Sequence, residues 1–284
     1  MQDGVQFMRV TTETISIPER MPFERRTGPQ LTIAAIALLS SMLLHSASAR
    51  AQDATSVIAL AERDRAALNP TAALGRYESA LVATPANFDL LWRAARESAD
   101  LGEGASDAAA RATYYSKAEG YARRAVAANA SGADGHFMLA VALGKTALSL
   151  GARDRVRYAS EIRNEALASL KFEPKHAGAL HVMGVWNAEV MRLGGFTRFA
   201  ARNFLGGRVF DQASWANATR YMEAATIEDP GRITHRLDLA RVYADTNQKP
   251  KAITTCEAVA RMRNSEFMDA QYKRECAQLV VRLR

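Results

Sequence analysis

Alanines recur at helical spacing along most of the chain, and several of these runs end at a proline. The clearest run extends from Ala73 to Pro85 and follows the spacing A-x3-[YF]-x2-A-L-x3-P. Alanines at this spacing share one helix face, where a second helix can approach closely, and proline stops the helix. Further copies follow, namely Ala118, Ala122 and Ala125; Leu170 and Pro174; Ala218, Met222, Ala225 and Pro230; and Ala252 with Cys256 in the aromatic position. Each copy predicts the second helix of a helical pair.

The copies fit a unit of about 34 residues, the period of the tetratricopeptide repeat, when the middle three units are allowed roughly ten to twenty extra residues each. Apolar stretches in phase with the copies predict the first helices, and they are Leu91–Ala95, Leu139 with Ala140, Leu180–Gly184, and Leu239, Ala240 with Tyr243. The middle units carry insertions: we expect a solvated loop at Gly102–Asp107 and a charged helical segment at Gly151–Tyr158. A last helix over about Glu266–Arg284 would cover the open apolar face of the final unit.

These patterns predict an all-α fold. Specifically, we expect a tetratricopeptide-like solenoid of helical hairpins, with insertions and a C-terminal capping helix, over residues 54–284. The composition agrees, because the chain is 48% hydrophobic and 24% charged and holds only 8 prolines. Abundant alanine and few β-branched runs favour helices over strands.

The first 51 residues are predicted to be a signal peptide. Arg25 and Arg26 precede an apolar run over Leu31–Leu44, and two overlapping A-x-A cleavage sites end at Ala49 and Ala51. The run is shorter than the roughly 20 residues that a bilayer core requires, which favours cleavage over a retained anchor. Acidic residues before Met21 are atypical of a signal, so Met21 is an alternative start. The mature protein would be periplasmic or secreted.

The net charge and the absence of known motifs limit which partners and activities the sequence favours. The formal net charge of +7 is dispersed, which suits an acidic protein partner or an anionic surface and disfavours nucleic acid. The spacing of the histidines predicts no metal site; they are His136, His176, His181 and His235. Nucleophile-elbow and phosphate-loop motifs are absent from the sequence, so we expect neither a cofactor nor an enzymatic activity.

The first helices of a tetratricopeptide array form its concave face, which is the usual binding surface. The side chains predicted to face this groove and to bind a peptide or protein partner are Trp92, Arg96, Phe137, Lys145, His181 and Arg241. Aromatic anchors with dispersed cations suit a peptide or an acidic segment. The alternative for each residue is simple packing between helices.

A basic amphipathic segment covers residues 192–208. Its arginines, which include Arg192, Arg198 and Arg202, alternate with large apolar residues. Such a segment can lie on an anionic membrane or grip a partner helix, which would make the protein a peripheral membrane-associated assembly factor. We favour instead a helix packed across the solenoid.

The cysteines are Cys256 and Cys276. An oxidising compartment would allow them to pair. Spacing does not decide whether the geometry permits a bridge, and we favour two separate buried apolar residues.

Several segments together resemble the regulator of microtubule dynamics family. They are Leu90–Arg96, Phe172–His176, His181–Trp186, Leu193–Phe204, the helix through Tyr221 and Ala225, Asp229-Pro230, Leu239–Tyr243 and Ala252–Cys256. The resemblance implies a tetratricopeptide-like fold without enzymatic activity, used for association, with microtubule attachment in eukaryotic members. Export argues against microtubules as the partner here. The chain departs from the family at Gly194-Gly195 and Gly206-Gly207, where the family segment is more continuous.

Overall fold

The structure, a computed structural model, describes residues 54–147, 152–193 and 207–284. Its helices are α1 (54–66), α2 (Pro70–Ala83), α3 (Phe88–Gly104), α4 (Ala108–Ala128), α5 (Ala133–Ala147), α6 (Ala152–Phe172), α7 (Ala177–Arg192), a 3-10 helix (Gly207–Gln212), α8 (Trp215–Glu228), α9 (Ile233–Asp245), α10 (Lys249–Ala260) and α11 (Asp269–Leu283). No strand occurs within these ranges. The predicted all-α, tetratricopeptide-like solenoid is confirmed.

Local sequence signals set where the helices begin. Asn69 accepts a hydrogen bond from the backbone N–H of Ala72, and Pro70 opens α2, where its missing N–H costs nothing. Asp107 and Ser214 cap α4 and α8 in the same way. Each of these helices therefore starts at a residue that is recognisable in the sequence.

The small residues of the repeat pattern lie between helices, as predicted. Ala73, Ala118, Ala122, Ala218 and Ala252 are all fully buried. Because alanine has a short side chain, the neighbouring backbones approach closely and the core continues from one pair to the next. The pattern thus identified the packing faces of α2, α4, α8 and α10, whereas Leu170, its copy on α6, is only partly buried.

The last helix covers the end of the array. Cys276 and Leu279 of α11 are buried in the core cluster that also contains Cys256 and Val259 of α10. The apolar face that the fifth pair would expose is thereby closed, which confirms the predicted capping helix.

Two expectations need correction. Cys256 and Cys276 are not separate residues but form a disulfide, because α10 and α11 bring their Cα atoms to 5.1 Å, within bridging distance. The stretch Gly102–Asp107 is not wholly a loop, since α3 continues to Gly104 and Gly102 is buried against Tyr115. The predicted helical character of 152–158 is confirmed.

Contacts between distant units show that the array curves. Arg65 of α1 pairs with Glu266, which follows α10, and the hydroxyl of Tyr272 on α11 donates to Glu103 of α3. We call the surface where α1, α3, α5, α7 and α9 face one another the inner face. Among the described residues, no helix is both long and apolar enough to cross a membrane.

Candidate partner-binding surface

Five charged side chains meet at the N-terminal end of the inner face. Arg65 donates to both carboxylate oxygens of Glu97, at 3.0 and 2.9 Å, and to Asp100 at 2.7 Å. Arg96 pairs with Glu62 at 2.7 Å and with Glu97 at 2.8 Å. Burial raises the pKa of Glu97 even though both arginines oppose that shift. The cluster consists of charges that largely satisfy one another.

Trp92 lies beside this cluster and is half-buried. The guanidinium groups of Arg93 and Arg96 lie 4.1 and 5.3 Å from the centroid of its ring, within cation–π range. The ring also packs against two adjacent core clusters of the array. Trp92 therefore contributes to the core as well as to the inner face, so its replacement would not test binding alone.

Glu103 links two elements at the centre of the inner face. Its carboxylate accepts from Lys145 at 2.6 Å and from the hydroxyl of Tyr272 at 2.7 Å. Burial lowers the pKa of Lys145, but the charge and the hydrogen bond of Glu103 outweigh it and hold the pKa above its usual value. A side chain of the last helix thus reaches across to α3.

The C-terminal end of the inner face is organised by Asp238. It accepts from His181 at 2.9 Å and from Arg241 at 2.7 Å, and Arg241 also pairs with Glu275 of α11. Burial would raise the pKa of Asp238, but His181 and Arg241 hold it well below its usual value. His235 stacks on His181 at 4.5 Å between ring centroids. Burial, with the charges of His181 and Arg232, lowers the pKa of His235 to about 2.

Residues 261–268, which connect α10 to α11, form a strap across the inner face. The carboxylate of Glu266 pairs with Arg65 on one oxygen and with Arg232 on the other. Asp269, which is buried, accepts from the backbone N–H groups of Ser265 and Glu266, both at 2.8 Å. The strap therefore links the first unit of the array to the last.

The structure brings four of the six predicted groove residues into this charged inner face, namely Arg96, Lys145, His181 and Arg241. Trp92 lies at its margin. Phe137 does not belong to it: its half-buried ring contacts His176 and fills the space over Gly178, between α5 and α7. Partner binding by these residues stays a prediction.

Sequence reasoning missed the residues that complete the surface. Arg65, Glu97, Asp238, Glu266 and Tyr272 belong to it through contacts with elements far away in the sequence. Spacing along α3 could have indicated Glu97, because it lies on the same face as Arg93 and Asp100. No local signal predicts that Glu266 meets Arg65.

Of the predicted membrane-contacting arginines, only Arg192 lies within the described residues. It pairs with Asp245 at 2.6 Å and with Glu189. Arg198 and Arg202 lie outside the described residues, as do residues 1–51. The membrane contact, the signal peptide and the domain boundary therefore stay predictions. Within the described ranges, no cluster of histidine, cysteine and carboxylate side chains is arranged to hold a metal ion.

The model of the family described as Regulator of microtubule dynamics protein 1-3 matches residues 59–284, which is most of the chain. The chain belongs to this family. The regulator of microtubule dynamics resemblance predicted from the sequence is thereby confirmed. The matched region begins within α1 and includes the whole inner face and the strap.

Relatives within the regulator of microtubule dynamics family are distant. Regulator of microtubule dynamics protein 1 of Bos taurus is 27% identical over 196 residues, covering 68% of this chain and 61% of that protein. The Mus musculus protein of the same name is 26% identical, covering 69% of this chain and 64% of that protein. The match thus spans less than two thirds of either relative.

A solved structure supports the fold. A thermophilic tetratricopeptide repeat protein from Thermus thermophilus superposes with a TM-score of 0.58 and 17% identity, covering 80% of this chain and 98% of that one. At this identity the likeness concerns the fold alone.

Proposed function

We propose that this protein is an exported, non-enzymatic protein–protein interaction scaffold that binds a peptide or protein partner on its inner face. The observation that carries the proposal is the convergence of Lys145, His181 and Arg241 on one surface. These residues come from three different helical pairs, and a repeat array is the architecture that presents such side chains together. The partly exposed cationic groups of Lys145 and Arg241 suit carboxylates on a partner, and the His181 imidazole can add a hydrogen bond.

The disulfide supports export. Bonds of this kind persist in oxidising compartments and are rare in the reducing cytosol. Cys256 and Cys276 join α10 to α11, so the bond would hold the C-terminal edge of the inner face in a periplasmic or extracellular protein. The name of the relatives refers to microtubules, but an exported protein does not meet tubulin, so we do not include microtubules in the proposal.

Export can be tested through the cysteines. Cells are quenched with acid, free thiols are alkylated with a mass-adding maleimide, and fractions are compared on a gel. We expect the mature protein in the periplasmic or secreted fraction, with Cys256 and Cys276 protected until a reductant is added. Cytosolic protein with both thiols labelled would contradict export.

Partner binding can be tested by pull-down from the native compartment with quantitative mass spectrometry. The groove variant is Lys145→Gln with Arg241→Gln, and the matched control is Lys117→Gln with Arg123→Gln on the outer surface of α4. Each pair removes two positive charges from partly exposed side chains. We expect a partner that the wild type and the control retain and the groove variant loses. Equal retention of the partner by all three proteins would exclude the inner face as the binding surface.

A further inference from the structure

The strap places a carboxylate between two arginines from opposite ends of the array. Arg65 belongs to α1 and Arg232 precedes α9, and each pairs with a different oxygen of Glu266. Arg65 is held in position by Glu97 and Asp100, and its side chain is only 11% exposed. A guanidinium group fixed in this way, with Arg232 on the other side, forms a site for a carboxylate rather than a general basic patch.

Phe267, the strap residue after Glu266, contacts the inner face at a second place. The ring of Phe267 lies on Gly104 at the end of α3: a Cβ at position 104 would be 2.5 Å from Cε1 of the ring. The absence of a side chain at Gly104 therefore leaves room for the ring. Phe267 itself is 38% exposed, so it covers this position without being locked into the core.

We propose that these two positions form a subsite for a partner segment in which an acidic residue is followed by an aromatic residue, and that the strap occupies this subsite until such a segment displaces it. The proposal rests on the proposed function, since it names the chemistry of the partner that the inner face takes. Arg65 and Arg232 bind the carboxylate, and Gly104 accepts the ring.

The strap can leave without unfolding the array. It connects two helices as an irregular segment, while the disulfide and buried Leu279 keep α11 on α10. Its attachment depends on the ion pairs of Glu266 and on the apolar contacts of buried Met268 and of Met262, which packs against the C-terminal core cluster. Backbone hydrogen bonds to Asp269 and a hydrogen bond from Lys273 to the carbonyl of Met262 add to these contacts. Since the strap is tethered, its effective concentration is high, and it competes strongly with a free peptide.

The test uses a fluorescein-labelled peptide with the sequence of residues 262–270 and the full mature chain with its disulfide intact. Fluorescence anisotropy measures binding to the wild type and to a vacated variant, Glu266→Gln with Phe267→Ala. We expect Kd to fall by about tenfold in the vacated variant, the change expected if the strap fills the subsite about 90% of the time. Adding Arg232→Gln to the vacated variant should abolish the gain.

The controls separate the alternatives. A peptide with glutamine and alanine in place of the glutamate and phenylalanine should bind all proteins equally weakly. Equal Kd for the wild type and the vacated variant, no measurable binding to either, or no effect of Arg232→Gln would overturn the subsite. Because these measurements need no cellular partner, a negative pull-down would contradict the proposed function and leave the subsite result standing.

Discussion

Arg65 and Glu266 form an ion pair across 201 positions of the chain, joining the first helix to the strap that precedes the last one. A linear repeat array contains contacts mainly between neighbouring pairs. This contact, with Arg232 on the other carboxylate oxygen, instead closes the inner face. It makes the two ends of the array energetically dependent on each other.

Replacing Glu266 should therefore destabilise the whole domain. Glu266→Gln leaves two partly buried guanidinium groups with weaker partners, and we expect the free energy of unfolding to fall by about 1–2 kcal/mol. The matched control is Glu257→Gln, whose partner Arg284 is 65% exposed, and it should change stability by less than about 0.5 kcal/mol. Urea unfolding of both variants measures the difference. Equal losses of stability in the two variants would show that the contacts of Glu266 with Arg65 and Arg232 do not stabilise the domain.

Breaking the disulfide should have a larger effect. Cys256 and Cys276 are 20 positions apart, and constraining a loop of that length in the unfolded chain is worth about 3 kcal/mol. We expect Cys256→Ala with Cys276→Ala to lower the denaturation midpoint by a corresponding amount, with no further change on adding a reductant. A wild type that is insensitive to reductant would count against the bond.

Features with a local sequence pattern could be predicted, and contacts between residues far apart in the sequence could not. Ala118 and Ala122 reveal helix packing because their spacing is local and repeats, so the fold was predictable. Phe267 and Gly104 are 163 positions apart, and the sequence around either residue gives no sign that the two are in contact. The disulfide was missed for the same reason, since only the packing of α11 on α10 brings its two sulfurs together.

Stability should fall as the pH drops below about 6.5, because His235 is buried in its neutral form. Its folded pKa of about 2 lies below the ordinary value, so the unfolded chain binds the proton more tightly. The contribution of His235 to stability is complete above about pH 6.5 and is lost progressively towards pH 2.

His235→Leu tests this prediction, because it substitutes an apolar residue of similar size that does not titrate. Between pH 7 and pH 5 the wild type should lose about 2 kcal/mol more than the variant. The titratable and charged side chains facing His235, which are His181, Arg232 and Asp238, are the same in both proteins, and the lost hydrogen bond to the backbone of Ala225 is compared through the difference between the two pH values. Parallel stability curves for the two proteins would contradict the assignment.

A pair of glycines tests the helix packing. A Cβ at buried Gly184 would lie 2.7 Å from Cγ of Met222, so we expect Gly184→Ala to cost about 1–3 kcal/mol. Exposed Gly120, in the middle of α4, has nothing within 4 Å of that position, and Gly120→Ala should instead stabilise by about 0.5–1 kcal/mol. Thermal unfolding of both variants shows whether each change lowers or raises stability. An increase in stability for Gly184→Ala would be inconsistent with the close approach of α7 and α8.

Photo-crosslinking in the native compartment tests most directly whether the inner face binds a partner. Benzoylphenylalanine is placed at position 241 on the inner face in one variant and at position 227, the site of the 75% exposed Ile227 on α8, in another. We predict an intermolecular adduct at position 241 that is absent at position 227. Adducts of equal yield at both positions, or adducts at position 227 alone, would contradict the account.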